Sequence, residues 1–173
     1  MDDLKAQTAS QPRKIRRRLL PRIVLLLLIA IGGLYGMSFM ASSPEGLGVT
    51  NGKLAACPDK PNCVSTQATT ESQRMDPVSF EGSADNAAQR IKSAINNSFS
   101  RTILIEEQED YLRYEFTSLI FRFVDDVEFW FDAENKQVHF RAASRVGHSD
   151  LGANRGRMSK IIDQFQNEAG GSQ

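Results

Sequence analysis

Residues that usually carry chemistry are scarce in this chain. Its 173 residues include two cysteines, two histidines and one tryptophan. With only His139 and His148 beside the cysteines, no Cys/His set at zinc spacing can be assembled. A Cys-x-x-Cys pair, a nucleophile motif and a cofactor loop are also missing, so no cofactor and no metal are expected. Net charge is absent as well, with 21 basic and 21 acidic residues. That balance hides an asymmetry: residues 1–22 hold seven basic and two acidic groups, so the remainder is acidic by the same excess. An acidic domain binds nucleic acid poorly, and no nucleic-acid partner is expected.

Long apolar runs are absent but for one. From Ile23 to Ala41 no side chain is charged, and at 1.5 Å per residue the run spans roughly 28 Å, close to the hydrocarbon thickness of a bilayer. It predicts a single transmembrane anchor whose partner is the lipid bilayer. Arg13, Lys14, Arg16, Arg17, Arg18 and Arg22 precede it with no comparable cluster after it, which predicts a cytoplasmic N-terminus and an exported C-terminal part. The rival is a cleaved signal peptide, which Phe39 and Met40 disfavour because small residues are needed there; Gly36-Met37-Ser38 is the remaining alternative. Leu54-Ala55-Ala56-Cys57 has the form of a lipoprotein cleavage box, but polar Ser42 to Lys53 separates it from the apolar run. The predicted organisation is a cytoplasmic basic segment (1–22), the anchor (23–41), a Gly/Pro/Ser tether (42–53), a periplasmic domain (54–168) and a disordered tail (169–173).

Both cysteines lie in the exported part. Cys57 and Cys63 enclose Pro58-Asp59-Lys60-Pro61-Asn62, and in an oxidising compartment this pair predicts a small structural disulfide loop, worth roughly 2 kcal/mol by loop closure. Val64 to Val78 is polar and irregular, predicted to wrap the domain surface. A helix is predicted from Ala84 to Phe99, with Ser83 as N-cap and Ala87, Ala88, Ile91, Ala94 and Ile95 on one stripe. The period then changes to two. Thr102–Glu107, Tyr111–Ser118, Phe121–Asp132 and Gln137–Ser144 predict a four-stranded antiparallel meander, followed by a helix on Leu151, Met158, Ile161, Ile162 and Phe165. The fold class is α+β, a two-layer sandwich with both helices on one sheet face.

Alternation assigns the faces. Phe121, Phe123, Val127, Phe129 and Phe131 share one with Asp125, while Arg122, Asp126, Glu128 and Trp130 point the other way with Arg141 and Arg145. The second face is thus a charged lattice, either solvated or a site for defined partners, since arginine suits bidentate recognition. Asp125 among phenylalanines requires a cation or a bulge at Asp125-Asp126, and the bulge is the stronger expectation. Gly147 permits a sharp exit from the last strand, and Ser149 or Asp150 can cap the final helix. Arg145, Arg155 and Arg157 either converge on an anion at that helix mouth or tie the helix to Asp125, Asp126 and Glu128, with Asn154 bonded to turn carbonyls. His148 is expected to be an exposed turn residue.

The strings CPDKPNCVSTQA, YLRYEFTSLIFRFVDDVEFWFD and RAASRVGHSDLGANRGR occur in this order. Together they resemble the bacterial and plastid family called domain of unknown function 1499, over Leu54 to Phe165. The family pattern falls on Cys57, Pro58, Pro61, Asn62, Cys63, Asp125, Asp126, Glu128, Arg141, Ser144, Arg145, Gly147, Asp150, Gly152, Asn154, Arg155 and Arg157. His148 departs from it, standing where the family has an aromatic such as Tyr, which argues against a histidine mechanism. The resemblance implies an exported or membrane-anchored domain and assigns no activity.

The expected function is non-catalytic binding of an anionic small molecule, lipid headgroup or envelope partner through Arg122, Asp126, Glu128, Arg141, Arg145, Asp150, Asn154, Arg155 and Arg157. The alternatives are a hydrolase working through Asp126 and Glu128, and a scaffold for an envelope complex.

Overall fold

In the computed structural model, which describes residues 13–170, helix α1 spans Arg13–Met40. It contains an apolar stretch, Leu19–Gly36, long enough to cross a membrane. The basic residues predicted to precede the anchor begin this helix, whereas residues 1–12 and 171–173 lie outside the described part. A short hairpin follows, formed by β1 (Val49–Thr50) and β2 (Lys53–Leu54). Its turn is Asn51-Gly52, both at positive φ (52° and 69°), the pairing that a tight two-residue hairpin demands.

Helix α2 (Ala84–Ser98) begins where Ser83 Oγ accepts the Asn86 amide at 3.1 Å. The strands after it are β5 (Thr102–Gln108), β6 (Tyr111–Thr117), β7 (Val124–Asp132) and β8 (Gln137–Ser144), paired antiparallel in sequence order, before helix α3 (Ala153–Gly170) closes the chain. The predicted meander is present but the sheet has six strands, not four. The segment expected to wrap the surface supplies β3 (Cys63–Ser65) and β4 (Val78–Ser79), which pair in succession along the outer edge of β8. Too short and polar to show a period, these strands form because β8 offers an unpaired edge.

Two further expectations are corrected. Strand β7 begins at Val124, so Phe121, Arg122 and Phe123 form a turn, with Phe121 and Phe123 stacked on each other and Arg122 exposed at φ 56°. No bulge separates Asp125 from Asp126, because Asp125 pairs with Phe116 and Ser144 in unbroken register. The irregularity of the sheet falls instead at Leu104/Glu106 on its edge strand.

Helices α2 and α3 pack together over one sheet face. Ile91 and Ile95 from α2, and Met158, Ile161 and Phe165 from α3, meet Leu112, Phe116, Val127, Phe129, Phe131 and Phe140 in a single core. Alternation then puts Tyr111, Arg113, Glu115, Asp126, Glu128, Trp130, His139, Arg141 and Arg145 toward the opposite side. That side is covered. Residues 42–53, expected to be a tether, lie across it: Gly48 donates its amide to Glu128 Oε1 at 2.8 Å, Ser43 Oγ accepts from Arg113 and Arg145, and Gly52 packs beside the Trp130 ring.

Candidate functional site

Three acids of β7 are buried, and each is held by a different arginine. Asp125, on the core face, accepts from Arg157 Nη2 at 2.6 Å, and that guanidinium lies 4.8 Å from the centroid of the Phe116 ring. Asp126, on the other face, takes both Nε and Nη2 of Arg145 at 2.8 Å, a bidentate pair that Glu115 extends as a third contact. These hydrogen bonds, Asp126 first, hold the Arg145 guanidinium well above its ordinary pKa. Glu128 is fully buried, with Arg141 Nη1 on Oε2 at 3.1 Å and the Tyr111 hydroxyl on Oε1 at 2.8 Å. Burial, reinforced by that carboxylate, pushes the Tyr111 phenol far up.

The mouth of α3 is architecture. Asp150 accepts the amides of Gly152 and Asn154 at 3.0 and 2.8 Å, while Asn154 Nδ2 donates to Asn62 O and Ser144 Oγ at 3.1 Å each. Arg155 reaches away to the carbonyls of Ser72 and Arg74, at the 3-10 turn Glu71–Gln73. Arg145, Arg155 and Arg157 therefore do not converge. His148 is exposed, as expected of a turn residue.

Of the residues predicted for a site, Asp126, Arg141 and Arg145 share a cavity of about 340 Å³ between the sheet and the segment covering it. Arg122, Glu128, Asp150, Asn154, Arg155 and Arg157 are not among its lining residues. Asn62, Lys60 and Pro58 complete the wall, all three from the loop closed by the Cys57–Cys63 disulfide. Gln73 fastens this loop by donating to the carbonyls of Pro58 and Lys60 at 2.8 and 2.9 Å. Asn62 Nδ2 donates to the carbonyls of Ser144 and Gly147, where Gly147 turns at φ 91°.

Two residues that line the cavity each carry a buried polar atom without a partner, Arg141 Nε and Asn62 Oδ1. An unsatisfied buried donor or acceptor costs about 1–3 kcal/mol, so such groups call for an acceptor or donor from elsewhere. Sequence reasoning placed Arg141 here but did not count Asn62 or Lys60 as site residues; the signal was the position of Asn62 within the disulfide loop. Among the described residues no cluster of three metal-ligating side chains occurs.

The model of the family described as protein of unknown function (DUF1499) matches residues 53–165. The chain belongs to that family. A comparison with curated proteins found no match. Within this DUF1499 domain, the matched stretch contains every wall of the cavity except Ser42 and Pro44, which come from the covering segment.

Proposed function

We propose that α1 anchors this chain once in a bacterial inner membrane, N-terminus in the cytoplasm, and that its periplasmic domain binds a small anionic molecule in the cavity beside Arg141 without catalysing a reaction. One observation carries the binding reading. Arg141 lines a cavity large enough for a small molecule, commits Nη1 to Glu128, and keeps guanidinium donors that are not all satisfied, Nε among them. A phosphate or carboxylate seated in the cavity would answer guanidinium donors that Glu128 leaves over, in the planar geometry guanidinium favours. Lys60 on the rim adds positive charge. Arg145, by contrast, spends its fork on Asp126 and Glu115.

The same pairings favour binding over acid–base hydrolysis. Asp126 and Glu128 each spend their oxygens on arginine, tyrosine or backbone donors, which leaves neither placed to exchange a proton with a substrate. A thermal-shift screen of phosphates and carboxylates on the full chain in detergent tests the reading. A ligand at a hundred times its Kd stabilises by about 2.7 kcal/mol, and Arg141→Lys should abolish this gain while keeping a cation beside Glu128. Absence of any stabilising anion, or equal stabilisation of Arg141→Lys, overturns the proposal.

A further inference from the structure

Large apolar side chains are left exposed at one end of the domain. Leu119 is 71% exposed, Ile120 64% and Leu151 96%. Leu119 and Ile120 form the tip of the β6–β7 loop, whose base is closed by Phe123 donating its amide to Ser118 Oγ at 2.8 Å. Leu151 stands in the turn before α3 at φ 53°, an unusual conformation for a leucine. The two loops share an end of the sheet, because the first residues of β7 meet the last of β8: Asp125 pairs with Ser144, and the Arg145 amide reaches Val124 O at 3.0 Å.

Helix α1 indicates what covers this end. The Tyr35 hydroxyl donates to the Ile120 carbonyl. Tyr35 lies next to the last residue of the apolar stretch Leu19–Gly36, and inside the run if that is counted to Ala41. With the span taken as Leu19–Gly36, this is the level where hydrocarbon gives way to headgroups, a position that tyrosine favours. Ile120 is therefore at the depth of the outer interface, with Leu119 beside it. Arg101 and Lys160, both exposed, share with Leu119 the wall of a hollow of about 440 Å³ floored by Phe99 and Phe116. Apolar side chains with cations beside them match the chemistry of an interface, acyl chains next to lipid phosphates.

We infer that the domain docks on the bilayer its own helix crosses, with Leu119 and Ile120 entering the outer interfacial layer and Arg101 and Lys160 facing lipid phosphate. The inference rests on the anchor reading above, and its test separates the two. Leu119→Trp is introduced into a Trp130→Phe background, removing the only native tryptophan, and the full chain is reconstituted in vesicles of equal parts phosphatidylcholine and phosphatidylglycerol. Lipids brominated near the carbonyl end of the acyl chain should quench the indole of Leu119→Trp several-fold more than aqueous acrylamide does. The matching Ile105→Trp, on the exposed edge strand, should show the opposite order.

Alkaline carbonate distinguishes the failures. If the chain is stripped from the vesicles, the anchor falls and the docking with it. If it stays and the indole of Leu119→Trp is open to acrylamide, docking alone is overturned. An indole there shielded from both quenchers also overturns docking, since a second copy or another protein would then cover this end.

Discussion

At the scale of single residues, the domain keeps buried acids only where each has an arginine. Asp125 is the clearest case, because it sits at the end of the core face and Arg157 comes to it from α3. Removing one partner of a buried pair strands the other, which typically costs about 3–5 kcal/mol. Urea unfolding of Arg157→Met should show a loss of that order, while pairing it with Asp125→Leu should recover most of it, since two apolar groups leave no charge unpaired. Placing Asp125 on the core face was legible from alternation alone. Choosing between a bulge and a cation was not, because the answer came from a helix more than thirty positions away. Asn62 was not counted as a site residue for a similar reason: its importance comes from Ser144, Gly147 and Asn154 meeting it in space.

At the scale of elements, the helices and central strands follow from local pattern. Helix α2 starts at the predicted Ser83 cap, and β8 keeps its predicted bounds. The start of α3 depends on Asp150, whose carboxylate holds the amides of Gly152, just before the helix, and Asn154, in its first turn. Asp150→Ala should lower stability by about 1 kcal/mol in the same urea assay, with Asp150→Ser in between. Short elements were the ones misread. The β1–β2 hairpin carried a readable signal in Asn51-Gly52, yet glycine, proline and serine nearby made the whole of 42–53 look like a tether. Strands β3 and β4 had no comparable signal, as their pairing is decided by the free edge of β8.

At the scale of the whole molecule, stability should depend on pH at both ends of the range. His139 is stacked on Trp130 with Nδ1 3.1 Å from Thr66 Oγ1, and burial lowers its pKa. The unfolded chain then binds the proton more readily, so stability is full above about pH 6.5 and falls as pH drops through the folded value. Asp132, whose pKa is lowered by hydrogen bonds from Asn135, adds a further loss below about pH 4. On the alkaline side, burial raises Tyr114 to about 12 and Tyr111 beyond it, so stability present below about pH 10 is lost above it. Urea midpoints measured across pH should trace this dome, and His139→Gln should flatten its slope between about pH 7 and 5. The sequence by itself determined the apolar helix, the disulfide loop, the α+β class and the two faces of the sheet, because period and composition act over a few neighbouring residues. Only the tertiary structure decided which arginine answers which acid, that residues 42–53 cover the charged face, and that Arg141 is left with a donor to spare. Those outcomes depend on side chains far apart in sequence competing for the same partners, and that competition is resolved only when the layers close.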